Sequence, residues 1–320
     1  IANTVTKIHN NTFGNCSSLE NIEIPESVTS IGNSVFSGCN NLKNIVIPES
    51  VTSIETFSMF KGCSSLEKVT IPESTTNIES YAFEGCSSLT NIKIPEGVTS
   101  IEYGAFEECT NLKDINIPSK VTILEINAFS RCSSLESIVI PEGVTIIKDS
   151  TFYECTSLIS VTIPEGVEII ENSAFYGCDN LKNINIPNSI TNIGSLAFTA
   201  CTSIERMKIS KNVTNIGDNA IPDTILIYTA SNTEGHRYAE EAGQGYIIDD
   251  EGPTVNYTPN GSQKTEKGYE VKIDLKDNED FIGMNEDSFK YQWTQSINQP
   301  TKESFTQSFE NGQTITKNTG

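Results

Sequence analysis

The sequence predicts an α/β, β-rich chain: a parallel solenoid of 23-residue coils, closed by a small cap and followed by a second β-domain. Three observations predict it. Cysteines recur at 16, 39, 63, 86, 109, 132, 155, 178 and 201, a spacing of 23 broken once by a single extra residue around 57–59. A phenylalanine stands three before every one of them, from Phe13 and Phe36 to Phe175 and Phe198. An interval of this length, held through nine copies, marks a stacked array. Finally, 36% apolar content is thin for one large globular core but suits a narrow, periodic one.

The unit reads C-x-x-L-x-x-I-x-I-P-E-x-V-T-x-I-x-x-x-A-F-x-x, and each letter has a structural reason. In I-x-I, as at Ile45 and Ile47 or Ile138 and Ile140, alternation sends both side chains to one face of a short strand and the residue between them outward. Pro at 48, 95, 141 and their equivalents then ends the strand and takes the second position of a tight turn, so the chain rounds a corner. In V-T-x-I the apolar residues are three apart, which a flat strand cannot place on one face, so an arced or bulged strand is expected. The spacing of three in A-F-x-x-C-x-x-L suits one helical or 3₁₀ turn. A lone coil buries too little to hold itself together; stacking closes both of its open faces and adds interstrand hydrogen bonds.

The phase is lost after Ile221, where a solenoid must seal its last face. Residues 224–228 read as a strand. Ser231, with Glu234 three later, predicts a capping box that opens a helix running to Ala242 and ending at Gly243. Residues 246–248 give a last strand, and the polar run at 249–253 a linker. Beyond it, 254–257, 269–275 and 289–295 are strand-like.

The repeat unit closely resembles the BspA-like, or Treponema-type, leucine-rich repeat family, over about residues 1–221. Its only departures are Ser210 in place of the corner proline and the one-residue insertion. The resemblance implies a curved leucine-rich-repeat solenoid on a secreted or surface-anchored protein, hence an extracellular location, with members acting as adhesins. Residues 252–320 resemble the Ig-like modules that follow such repeats, with Trp293 as the core tryptophan and no accompanying disulfide. The domains are then 1–221, 222–251 and 252–320. The last is shorter than a full sandwich, so it is expected to be cut short at Gly320. The opening at Ile1, in mid-repeat and without Met, likewise predicts a preceding segment.

Charge and chemistry narrow the function. A net charge of -21 repels nucleic acid and anionic lipid, and no apolar run is long enough to insert in a membrane. Stacked cysteines would have parallel Cα–Cβ bonds about 4.8 Å apart, which misses the close Cβ approach of a disulfide, so free, buried thiols filling a small slot are expected. Two distant histidines, His9 and His236, offer no zinc site, and His236 and Tyr238 read instead as helix surface and cap packing. The acidic run 277–280 lacks the spacing of a calcium loop and reads as a solvated turn. With no nucleophile poised by a base and no phosphate-cradling loop, neither enzyme nor cofactor is expected.

What remains is surface. The middle residue of each I-x-I forms an outward column that includes Thr70, Lys93, Asn116, Val139, Thr162 and Asn185. This concave face suits a broad protein contact, or is an ordinary hydrated sheet. In V-T-x-I the x is Ile123, Ile146 and Ile169 in three successive coils. Facing outward, they make an apolar ridge on the side carrying Tyr153 and Tyr176; facing inward, they are extra core. The expected function is adhesin-like binding of a host or matrix protein. The alternatives are a structural stalk, or a glycan-binding module needing several aromatics converging on one groove.

Overall fold

The computed structural model describes residues 1–51, 53–54, 57–249, 254–259, 269–276 and 314–317. Contacts divide the chain into two units, Ile1–Ile248 and Asp249–Gly320.

The first unit is a parallel solenoid. Each coil from Cys39 onward contributes one short strand from the I-x-I arm and a second from the x-I end of the V-T-x-I arm, while the coil of Cys16 has a single bridge, Asn21 to Asn44, on the first arm. On the first arm Asn44–Val46 pairs with Lys68–Thr70, Asn91–Ile92 with Asp114–Ile115, and Ser137–Val139 with Ser160–Thr162 and then Asn183–Ile184, all parallel and in register. On the second arm the strands have only two residues, such as Ile146–Ile147 and Ile169–Ile170. The expected arc is therefore accommodated by brevity: one residue of each pair points in, and the preceding Val reaches the core from outside the strand.

The turn that closes each coil differs from the helical or 3₁₀ turn expected. Its i→i+3 bonds are present, as when Cys39 N donates to Phe36 O at 3.0 Å and Leu42 N to Cys39 O at 3.0 Å. Two left-handed residues per coil interrupt it. One column lies five before Cys, as in Ser34, Ser58, Tyr81 and Asn127, and another one before it, as in Gly38, Gly62, Gly85 and Gly177. These residues swing alternate amides sideways, so that Phe36 N donates to Met59 O at 3.0 Å and Phe129 N to Thr151 O at 2.9 Å in the next coil. The turn thus becomes a third intercoil ladder. Glycine meets the positive φ without steric cost. Where Glu108, Arg131 and Glu154 occupy the same column, each accepts roughly 1 kcal/mol of backbone strain. Arg131 spans both carboxylates, with Nη1 at 3.2 Å from Glu108 and Nε at 3.1 Å from Glu154.

Inside, the columns stack. Adjacent phenylalanine rings from Phe13 to Phe198 lie 5.3–5.7 Å apart and nearly parallel. The described cysteines are all free, and all are buried except Cys16. Cys16 is the exception to the expected burial because no coil covers its outer side among the described residues. Each buried thiol does more than fill a slot: it donates to the phenylalanine carbonyl of the preceding coil, as Cys155 Sγ does to Phe129 O at 3.2 Å. Burial pushes the thiols of Cys39, Cys63, Cys86, Cys109, Cys132, Cys155 and Cys178 up, Cys63 and Cys155 to about 12.

The cap seals the last coil. Leu226–Thr229 pairs with Arg206–Lys208 and with Tyr246–Ile248. The helix spans Glu234–Ala242 and ends at Gly243 in the left-handed conformation. Its N-cap is Thr233 rather than Ser231, because the Thr233 Oγ1 accepts from His236 N. Glu234 is thereby released to accept from Ile216 N at 3.3 Å and to hold Arg237, whose guanidinium keeps that carboxyl below its usual range. Gly235 is required where the helix meets the coil, since a Cβ there would lie 2.7 Å from Thr229 Oγ1. His236 rests on the Tyr246 ring, and Tyr238 Oη bonds the backbone of Ile221.

In the second unit, Thr254–Pro259 pairs antiparallel with Tyr269–Lys276, which pairs antiparallel with Thr314–Lys317. The expected strand 289–295, Trp293 and the acidic run 277–280 lie outside the described residues.

Candidate interaction surface

The I-x-I arm places Thr70, Lys93, Asn116, Val139, Thr162 and Asn185 outward, and all six are exposed. Their inward neighbours, such as Ile138, Ile140, Ile184 and Ile186, are buried. Val139 sits opposite Thr162 in register and is 64% exposed. Lys93 reaches Glu73 at 2.5 Å, and this hydrogen-bonded carboxylate raises the lysine's pKa. Around Val139 the outward residues carry no charge: Asn116, Ser137, Ile159, Ser160, Thr162 and Asn185 form a window bordered by Lys113, Asp114 and Glu136 on one side and Lys182 on the other. Ile159, 46% exposed, belongs to this window and escaped the sequence reading, which followed only the middle residue of the strand.

The structure turns the Ile column outward. Ile123 is 43% exposed, and Ile146 and Ile169 are half-buried, while Leu124, Ile147 and Ile170 beside them fill the core. The inward reading is therefore corrected: the adjacent residue already occupies the interior, and successive residues of a strand face opposite ways. Ile146 and Ile169 pair in register, so the ridge is continuous across that step.

Tyr153 and Tyr176 lie on the turn edge, stacked at 5.0 Å with planes 9° apart, and the Arg131 guanidinium sits 5.8 Å from the Tyr153 ring centroid. Phe57, Tyr81 and Tyr103 make a second aromatic run along the same edge, with Lys61 over Tyr81. Burial is the main cause of the raised pKa at Tyr81 and Tyr153. Partly desolvated and flanked by Glu84 and Glu108, Glu107 is also raised. Sequence inspection missed the Glu108–Arg131–Glu154 triad, although the glycines recurring one before Cys marked its column.

A small, partly open cavity of about 30 Å³, lined by Ile47, Met59, Phe60, Thr75 and Phe83 among others, adjoins the insertion. It has room for a water molecule, whereas ligand pockets are on the order of 300–1,000 Å³. Thr75 stands in the Val column, and its buried hydroxyl has no partner. Among the described residues, no three His, Cys, Asp or Glu side chains gather as metal ligands would, and no helix is long and apolar enough to cross a membrane.

A pattern described as the BspA type leucine rich repeat region matches residues 6–136 and 122–236, in six copies. The chain belongs to this family. Among solved structures it is similar to a leucine-rich repeat protein from Bacteroides ovatus, at 28% identity over 78% of this chain and 82% of that one, with a TM-score of 0.46. It is also similar to the T. pallidum leucine-rich repeat protein TpLRR, at 25% identity over 55% and 72%, with a TM-score of 0.41. A third is a leucine-rich cell surface protein from Faecalibacterium prausnitzii, at 28% identity over 69% and 79%, with a TM-score of 0.36. No curated protein matches the chain. In this array the inward columns carry the repeat pattern, and the window, ridge and turn-edge aromatics lie outside those columns.

Proposed function

We propose that this chain is a non-enzymatic binding module of an extracellular, surface-displayed protein, and that it contacts a host or matrix protein through the concave arm. The supporting observation is the uncharged window centred on Val139 in a chain of net charge -21. Interface centres are depleted of charge and ringed by polar residues, which is the arrangement here. Membership of a repeat family built to expose broad surfaces supports the same reading. The second unit then serves as a spacer with an Ig-like architecture.

Aromatic placement favours protein over glycan. Tyr153 and Tyr176 each give one ring face to the other, and Arg131 lies over the Tyr153 ring, whereas sugar stacking needs an open ring face.

The test is binding of the chain to a panel of immobilised extracellular-matrix glycoproteins, comparing the native sequence with Val139→Glu and Thr162→Lys. Both positions are exposed, so folding by circular dichroism should be unchanged. Binding should fall about tenfold or more if a charge enters the interface centre. Equal binding by both variants would refute the window, and binding to none of the panel would favour the stalk.

A further inference from the structure

The intercoil ladders are not equally complete. Between coil 109–131 and coil 132–154, strand pairing lapses on both arms, and a single backbone bond, from Glu136 N to Lys113 O at 3.2 Å, still joins the first arm. Asp114–Ile115 pairs back to Asn91–Ile92, and Ser137–Val139 pairs forward to Ser160–Thr162, but these two strands are not paired to each other. On the opposite arm Ile123–Leu124 pairs back to Ser100–Ile101 and Ile146–Ile147 forward to Ile169–Ile170, again with no pairing between them. Thr122 N donates to Thr99 O and Glu125 N to Ile101 O; Glu168 N donates to Thr145 O and Glu171 N to Ile147 O. The equivalent bonds from Thr145 and Lys148 are missing from this step. Among the described residues, every other step from coil to coil keeps pairing on at least one arm.

The turn edge, by contrast, stays joined here. Asn127 N donates to Asp149 O at 3.2 Å, Phe129 N to Thr151 O at 2.9 Å, and Arg131 N to Tyr153 O at 2.6 Å. Arg131 also reaches Glu154. The Phe129 and Phe152 rings remain stacked, at 5.7 Å, a spacing equalled only by Phe36 and Phe60 among the described pairs. Across the open second arm, one side-chain contact is made, from Lys148 Nζ to Glu125 Oε1, both partners half-buried.

We infer that this step is a hinge built into the solenoid: its spine is the turn edge at Phe129 and Phe152, its first arm is held by the one Glu136–Lys113 backbone bond, and the Lys148–Glu125 pair is the clip that holds the second arm shut. In a quasi-one-dimensional array, cooperativity passes only through neighbour interfaces, so a step lacking both ladders is where the array divides into blocks. The hinge bears on binding, since Asn116 and Val139 lie on either side of it on one arm and Ile123 and Ile146 on the other. Opening it changes the spacing within both surfaces.

Hydrogen exchange of the whole chain, followed peptide by peptide by mass spectrometry, tests this. In the native sequence, peptides covering 114–124 and 137–147 should exchange about tenfold faster than 160–170, whose ladders are complete on both arms, and faster than 91–101, whose ladder is complete on the second arm. Lys148→Met should speed exchange several-fold further at the seam alone. Lys61→Met, which breaks the Lys61–Glu84 pair elsewhere on the turn edge, should leave the seam unchanged. Uniform protection of all four peptides in the native chain would overturn the hinge. An acceleration by Lys148→Met spread evenly along the solenoid would overturn the role of the clip.

Discussion

The turn edge and the two sheet arms of this solenoid are built from the same coils, yet they obey different rules. Along the turn edge, rings stack at every step from Phe13 to Phe198, each thiol from Cys39 to Cys201 reaches the carbonyl of the preceding coil, and left-handed residues recur twice per coil. The arms have strands of two or three residues whose ladders start and stop. Continuity is therefore carried by the edge. The arms are left free to vary outward, which is where a binding surface can change without cost to the fold.

The sharpest way to break this comparison is to remove one ring. Phe152→Ala should destabilise the solenoid by about 3–5 kcal/mol, because it empties a fully buried slot between two stacked neighbours. Val139→Ala, on the exposed arm, should stay within about 0.5 kcal/mol. Urea denaturation of the two variants measures both, and similar losses would mean that edge and arm carry equal weight.

The thiol column sharpens the same contrast through pH. A thiol raised from 9.0 to about 12 by burial, as at Cys63 and Cys155, prefers the folded state in its neutral form. Its contribution is complete below about pH 9 and is lost as pH climbs through the folded value near 12. Stability should accordingly fall steeply in that window, and less steeply in Cys155→Ala, which should itself cost about 1–2 kcal/mol near neutral pH. A thiol label at neutral pH should modify Cys16 alone in the folded chain and nine cysteines after denaturation. Eight cysteines blocked as disulfides would contradict the parallel stacking.

The smallest effect is expected to be a gain. Thr75 buries an unpartnered hydroxyl beside a small cavity, in a column otherwise held by Val or Ile. Thr75→Val should raise stability by about 1 kcal/mol, seen as a higher Tm, since an unsatisfied buried polar group is replaced by an apolar one of the same shape. A loss would show that the hydroxyl is satisfied by water in the cavity.

By itself, the sequence determined the repeat length, the inward columns, the parallel stacking, the free thiols and the helix end at Gly243, because each follows from residue periodicity or from a local backbone preference. It also placed the middle residue of each I-x-I strand outward, since alternation in a strand leaves no other choice. Tertiary structure alone decided the rest. The direction of Ile123, Ile146 and Ile169 depended on whether the next residue had already filled the core; Ile159 joined the window because of where the strand enters the sheet. Thr233 replaced Ser231 as the cap because its Oγ1 accepts from His236 N, which leaves Glu234 to reach Ile216. The paired lapse of both arms beside Lys148 was illegible for the same reason: a ladder bond needs two coils at the right separation, and that distance is set by all the contacts between them rather than by any residue of either.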